Sequence, residues 1–439
     1  MNPIRFIFAI TFSITGAMPA ITLDAVLNET LEKNPAIQQA KSNLEQAAGH
    51  RLVLRSITWP NLRAAVPAGI QGGHQAGSDS IKGFIFARGF FTTPLVNAAI
   101  PPSRRLGDVE FLIAEQQLNV AIVEQLHAVR LAFYSALFNR RLETIDREEQ
   151  QRAEQNAASQ KDRYEAGLTD RSAFTSATVQ AGELSSQIEA ARRAYAEAQV
   201  QLAAATGEQI PADGTMPEPE GELQSQPLDV DLAKETTDAI ERRADIRLAR
   251  LMVRAANDQQ RIIEAGYYPL ALGTLQGDFI PTTGIHRQGS SRRSDDFTGS
   301  EAREGAVYTW RVIDNGKVTG AVITQRETRQ INEMACRRLE ANVGAELVQI
   351  RNNLNALKAR QKSLGGGLEM AEQNATSIQQ NLAQGLVSQL DYRQAQNASL
   401  DVKSGLLTAS FQYSVALAEW DRATGRYFQF SEDTTPNVR

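Results

Sequence analysis

The sequence predicts a mainly α-helical fold with a smaller portion of β-barrel type. Three observations carry that expectation. The chain is written twice, each copy holds a long helical hairpin with a heptad seam, and stretches of period-two alternation lie between helices.

The duplication comes first because a repeat fixes the architecture. AEQNAASQ, starting at Ala153, returns as AEQNATSI from Ala371, 218 residues later. At the same spacing Gly167-Leu168 matches Gly385-Leu386, Tyr195 matches Tyr413, and Ala205-Thr206-Gly207 matches Ala423-Thr424-Gly425. Upstream the spacing is 209: Ile37 pairs with Ile246 and Trp59-Pro60 with Tyr268-Pro269. The chain therefore divides into a leader (1–20), a first repeat (21–207), a linker (208–230), a second repeat (231–425) and a tail (426–439).

The leader MNPIRFIFAITFSITGAMPA has one basic residue, an apolar run from Ile7 to Ile14 and small residues up to Ala20, the pattern of a secretory signal peptide. No cysteine follows the run, which argues against a lipid anchor. Elsewhere the sequence suggests no membrane helix of about 18 apolar residues, so a membrane crossing would be made with strands. With 46 basic and 51 acidic residues the net charge is −5, unlike a nucleic-acid-binding surface. The one cysteine, Cys336, rules out an intramolecular disulfide and reads as an ordinary helix residue.

In each repeat the order is helix, strand pair, long helix, helix. A first helix is predicted over about 22–58, with Leu23, Val26, Leu27 and Leu31 on one stripe and Pro60 as its stop. Its counterpart covers about 231–266 before Pro269. The strand region from Leu62 to Ile100 contains IKGFIFARGFF but is weakly patterned around Pro67, Gly72 and Gly73. In LALGTLQGDF, Thr274, Gln276 and Asp278 alternate with Gly273, Leu275, Gly277 and Phe279. AVYTWRVIDNG follows, with Ala306, Tyr308, Trp310 and Val312 on one face. An aromatic, apolar face opposite a polar one is the membrane-barrel pattern. The turn-rich stretch from Pro281 to Gly305, with His286, Arg287, Arg292 and Arg293, is predicted to be a long loop.

The long helix predicted over about 104–165 has no proline and would be roughly 90 Å long. Phe174, Ala177, Ala181, Leu184, Ile188, Ala191, Tyr195, Ala198, Leu202 and Ala205 follow at alternating spacings of 3 and 4, and the seam returns from Tyr392 to Ala423. Four such heptads specify coiled-coil packing. The second long helix carries LGGGL at Leu364–Leu368, where the first copy continues as Arg147-Glu148-Glu149. The sequence thus predicts an interruption there, serving as a hinge or tolerated as a kink. The hairpin tips fall at Glu165–Thr169 and Ala383–Val387, where glycine ends one helix and Thr169 or Ser388 starts the next.

Four strands cannot close a barrel, and an open sheet edge is not tolerated in hydrocarbon. A chain that spans a membrane this way must oligomerise, and a trimer would supply twelve strands.

Taken together, LDAVLNETLEKNPAIQQA, RYEAGLTD, LAQGLVSQLDYRQAQ, WRVIDNGKVTG and the Thr-Gly ending of each copy resemble the TolC-type outer-membrane efflux ducts over essentially the whole mature chain. The resemblance implies a homotrimer in the outer membrane, with a twelve-stranded β-barrel and a long periplasmic α-barrel built from the duplicated hairpins. It implies a passive exit duct of a tripartite efflux or type I secretion system. The partners it implies are outer-membrane lipid, a periplasmic adaptor and an inner-membrane transporter. By position, Tyr164, Gly167, Leu168, Gly385, Leu386 and Val387 match the tips that the family offers to its adaptor. Asp391 matches an acid that narrows the family's periplasmic aperture. Gln394 stands where a second acid is common, and Ala173 holds the first-copy position of Asp391.

Other classes find less support. DNGKVTG has no GxxxxGK spacing, His50, His74, His127 and His286 have no metal-ligand spacing, and no Ser, His and Asp set suggests a nucleophile. No enzyme activity, cofactor or metal is expected. The rival is a periplasmic coiled-coil adaptor or scaffold, which would need one hairpin and no duplicated strand pairs. The cargo is not legible.

Overall fold

The computed structural model of the chain describes residues 21–75, 78–207, 218–223, 228, 230–285 and 295–430. The predicted leader, most of the linker, the loop residues His286, Arg287, Arg292 and Arg293, and the end of the tail lie outside these residues.

The elements in order are α1 (Leu23–Lys33), α2 (Pro35–Ser56), β1 (Asn61–Ala65), β2 (Ala68–Gln75), β3 (Ser78–Ile85), β4 (Ala87–Val96), α3 (Ile100–Glu165) and α4 (Arg171–Thr206). The second half has α5 (Leu232–Arg242), α6 (Ala244–Glu264), β5 (Leu270–Ile285), β6 (Asp295–Thr309), α7 (Lys317–Ala383) and α8 (Gln389–Ala423). Among the described residues they gather into two compact units. One comprises the described residues of 21–39, Asn119–Arg243 and Asn342–Phe430; the other comprises those of Ala40–Leu118 and Ala244–Ala341.

Several expectations need correction. The predicted first helix is two, α1 and α2, broken at Asn34, where extended backbone precedes Pro35. Proline has no N–H to continue the ladder. Its counterpart breaks at Arg243 without a proline. The stretch expected as a loop is mostly strand: β5 extends to Ile285 and β6 starts at Asp295, paired from Leu270↔Thr309 to Ile285↔Asp295. Trp310 and Val312 fall beyond the end of β6. The three glycines do not interrupt their helix, because α7 is helical from Lys317 to Ala383, although each glycine costs about 1 kcal/mol against alanine.

The first unit holds both helical tips and the main apolar core. The predicted seam of α4 is buried at Ala177, Leu184, Ile188, Ala191, Ala198 and Leu202. On α8 the seam is buried at Ala395, Ala409, Tyr413, Ala416, Trp420 and Ala423, and a second stripe the sequence had not suggested, Leu400, Leu407, Ser414 and Ala418, is buried too. Leu400, Leu407 and Ala418 of that stripe join Val129, Phe133, Tyr134, Leu137 and Ile145 of α3 in one cluster, and Phe138 stacks on Phe411 at 4.7 Å. This packing accounts for an apolarity of α3 that corrects the expectation of no membrane-length apolar helix. A stretch of α3 is long and apolar enough to cross a membrane, yet Ile122, Leu126, Val129, Phe133 and Leu137 of this helix are buried within the protein.

Parts of the linker and tail pack onto this unit. Ile21 and Pro219 form a parallel bridge, and Arg140 donates to the Pro219 carbonyl at 2.8 Å. At the other end the Asn119 amide, fully buried, donates to the Phe430 carbonyl at 2.9 Å and accepts from the Phe430 N–H at 2.6 Å. An amide side chain here completes the pairing that a strand would otherwise supply.

In the second unit, α2 and α6 pack with the first turns of α3 and α7. Asp108 accepts from Arg51 and Arg55, both at 2.7 Å, and Arg105 pairs with Asp258 at 2.9 Å. Beyond these helices lies an antiparallel four-stranded sheet in the order β1-β4-β5-β6, while β2 and β3 form a separate hairpin. Pro67 separates β1 from β2, since a residue without an N–H cannot serve a continuous ladder.

Candidate functional site

The sheet register sorts its side chains into two faces. One row runs Leu62, Phe91, Leu275, Glu304 and the next Ala64, Gly89, Gly277, Ala302. Between them on the opposite face runs Arg63, Phe90, Gln276, Arg303, flanked by Asn61, Thr92, Thr274, Gly305 and by Ala65, Arg88, Asp278, Glu301. The first face is mostly apolar, with Thr93, Ser300 and Glu304 as its polar members, and it is uncovered in this chain: Leu62, Leu275, Phe279 and Tyr308 are all exposed.

The second face is polar and tied together. Arg88 donates from Nε to Asp278 Oδ1 at 2.6 Å, and Gln276 donates to Asp278 Oδ2 at 3.0 Å. The Arg88 guanidinium also lies over the Phe86 and Phe90 rings, 4.9 and 5.6 Å from their centroids. Arg303 pairs with Glu301 at 2.7 Å. The pairing of Arg88 with Asp278 was not predicted, because only the register aligns two residues 190 apart; the alternation of β5 was the one available signal.

At the helical end of the sheet sit exposed aromatics: Trp59 before β1, Tyr267 and Tyr268 before β5, and Tyr308 and Trp310 at the end of β6. The Trp310 indole donates to the Tyr267 carbonyl at 3.2 Å. Ring bodies with one polar handle are the side chains favoured at a membrane–water boundary. Among the described residues, the outer strands β1 and β6 each have a neighbour on one side only.

The two tips share one design. After α3, the Leu168 N–H bonds to the Arg163 carbonyl at 2.8 Å and the Gly167 N–H to Tyr164 at 3.0 Å. After α7, Leu386 bonds to Asn381 at 2.9 Å and Gly385 to Leu382 at 3.0 Å. These are Schellman pairs, closed by glycines at φ +71° and +73°. Leu168 and Leu386 stand about 70% exposed at the two apices, Tyr164 is partly exposed and stacks on Phe174, and Val387 is half-buried. The cap of α4 is Asp170, which accepts from the Ala173 N–H at 2.9 Å, and not Thr169 as the sequence suggested. Its counterpart Ser388 caps α8 as expected.

Asp391 is exposed and takes part in a capping box. Its Oδ2 accepts from the Ser388 N–H at 3.0 Å and from the Ser388 hydroxyl at 2.6 Å, while its own N–H donates to Ser388 Oγ at 3.2 Å. The bonds from Ser388 hold the carboxyl below the usual aspartate range. Gln394, one turn on, is exposed and lines a small polar cleft of about 120 Å³ with Glu149, Arg152, Asn156 and Arg393. There Arg393 donates to Asn156, a link between α8 and α3 that no sequence signal announced.

No family model matches the sequence, and no match is found among curated proteins. Among solved structures the chain is similar to the outer membrane channel CmeC of Campylobacter jejuni, with 13% identity and a TM-score of 0.80 over 99% of this chain and 95% of that one. It is similar to a membrane protein from Pseudomonas aeruginosa, with 19% identity and a TM-score of 0.75 over 92% of each chain. It is also similar to the outer membrane protein VceC of Vibrio cholerae, with 17% identity and a TM-score of 0.74 over 92% and 96%. At such identities the likeness establishes the fold, and it is the duplicated helical fold with a four-stranded sheet that the sequence predicts.

Proposed function

We propose that the chain is one subunit of a passive trimeric exit duct of the outer membrane, used by an efflux or type I secretion system. The observation that carries this is the sheet. It has an uncovered apolar face, a polar face, an aromatic fringe and two outer strands with a free side. Four strands of this kind satisfy their backbone in hydrocarbon only as part of a closed barrel, and three copies would bring twelve strands, within the range of known barrels. The apolar face would meet lipid and the Arg88–Asp278 face would line the water-filled interior. The similarity to outer-membrane channels supports the same proposal.

The helices then continue the passage into the periplasm. Their tips, with Tyr164, Gly167, Leu168, Gly385, Leu386 and Val387, would meet a periplasmic adaptor, and an inner-membrane transporter would supply the energy. Three copies of Asp391 near the axis would form a ring that attracts cations. The capping box leaves Asp391 Oδ1 available for that purpose.

The experiment is membrane fractionation of the mature protein followed by its mass in mild detergent. Recovery in the outer membrane at three times the chain mass is expected. A monomer in the soluble periplasmic fraction would overturn the duct and favour the adaptor alternative.

A further inference from the structure

We infer that α7 is built to bend at Gly365-Gly366-Gly367, so that its last turns and the second tip swing as a segment against α3, α4 and α8. That the bend serves opening rests on the duct function proposed above.

The three glycines lie inside a 67-residue helix, where nothing about the backbone requires them: none has positive φ. Nor does packing within the chain require them. A Cβ on Gly365 or Gly366 would meet no atom within 4 Å, and one on Gly367 would touch only Val402, at an ordinary 3.7 Å. Within the chain, alanine would fit all three positions and would hold the helix better. What glycine uniquely supplies there is backbone freedom.

The surroundings place that freedom at a boundary. After Gln361, no residue of α7 is buried. Among the described residues, the side chains from Leu368 to Ala383 make no hydrogen bond or ion pair to another helix; Gln373 and Thr376 bond only within α7. The helix facing the same region is anchored instead. On α8, Lys403 pairs with Glu148 of α3 at 2.9 Å, Arg393 bonds to Asn156, and Ala395 and Leu400 are buried.

The first copy shows the contrast. Where α7 has three glycines, α3 has Arg147, Glu148 and Glu149, good helix formers. Arg147 pairs with Glu143 at 2.6 Å, and Glu148 takes the bond from Lys403. The first tip adds the Tyr164–Phe174 stack, whose places in the second copy are held by Leu382 and Tyr392. One hairpin is braced and the other has a soft point.

The test compares the full-length protein with its Gly365→Ala/Gly366→Ala/Gly367→Ala variant, both in detergent, by amide hydrogen exchange. In the natural protein, exchange over residues 363–369 should be at least about tenfold faster than over 345–355 of the same helix. The variant should slow 363–369 to the level of 345–355 with unchanged mass. Equal protection of the two stretches in the natural protein would overturn the bend. In cells lacking their own duct, the variant should export a dye at least about tenfold more slowly than the natural protein. Equal export by the two would overturn a role in opening. If the natural protein itself exports nothing, the duct proposal fails, and hydrogen exchange still decides whether α7 bends.

Discussion

Asn34 and Arg243 hold equivalent places in the two halves and reach equivalent atoms by different chemistry. Asn34 Nδ2 donates to the Ala205 carbonyl at 2.7 Å, and Arg243 Nη1 to the Ala423 carbonyl at 3.4 Å. Each residue sits at the break between a short helix and the next, and each binds the last turn of its own repeat. The duplication has thus preserved a contact while exchanging an amide for a guanidinium.

The two should differ in what their loss costs. Asn34 is buried and also donates to Gln125 at 3.1 Å while its Oδ1 caps Ala36 and Ile37. Asn34→Ala should cost about 2–4 kcal/mol, from several lost bonds and the groups left unpaired. Arg243→Ala should cost about half of that, because Glu346 keeps Arg422 at 3.1 Å. Denaturant unfolding of the purified protein measures both, and a larger loss for Arg243→Ala would contradict this account.

The glycines that end the helices separate by what surrounds them. Gly207 has φ +84°, and a Cβ there would lie 2.8 Å from Pro35 Cδ and 2.9 Å from the Asn34 Cα. Gly385 has φ +73° with nothing within 4 Å. Gly385→Ala should cost only the left-handed conformation, about 1–2 kcal/mol. Gly207→Ala adds a backbone clash and should cost clearly more. Thermal scans of the two variants check the order.

Trp420 offers a cleaner test of packing. It is fully buried, and its indole Nε1–H has no partner among the described residues. Trp420→Ala should cost about 3–5 kcal/mol. Trp420→Phe keeps most of the volume and removes a buried donor that is not satisfied, so it should cost under about 1.5 kcal/mol. Chemical denaturation of both variants would show the gap; a Phe variant as weak as the Ala variant would mean that the indole N–H is bonded after all.

How far these features were legible depended on the range of the interactions that make them. The α4 seam and the two tips follow from local spacing and turn chemistry, and the structure has them where the sequence places them. The second stripe of α8 escaped because Leu400, Leu407 and Ala418 are apolar at positions that a single coiled-coil seam leaves outside; only packing against α3 as well gives them a role. The strands suffered most. Charged and glycine-rich segments such as DDFTGSEAREG read as loop because only the long-range pairing with β5 makes them a strand. The break at Arg243 had no proline to mark it.

The sheet faces make a prediction about lipid. Leu275 points to the apolar face and Gln276 to the polar one. Leu275→Arg should cost about 2–4 kcal/mol if it sits near the middle of the bilayer, lowering the yield of assembled protein in the outer membrane. Gln276→Arg should assemble normally. Quantifying trimer in extracted outer membranes distinguishes them, and equal yields would argue that neither face meets lipid.

Asp391 makes the last prediction, and its pH dependence follows from the capping box. The Ser388 hydroxyl and N–H favour the charged carboxylate, so its folded pKa lies below that of an ordinary aspartate. A depressed carboxylate contributes stability above its unfolded pKa and loses it as pH falls through the folded value. The charge is therefore present wherever an ordinary aspartate is ionised. If three such charges line the narrow end of the duct, cation preference in planar bilayers should be flat between about pH 5 and 8 and should fall in Asp391→Asn. Gln394→Glu should raise it, since that position is exposed one turn along the same helix. Unchanged selectivity and conductance in Asp391→Asn would leave Asp391 as the partner of Ser388 in the capping box of α8 and nothing more.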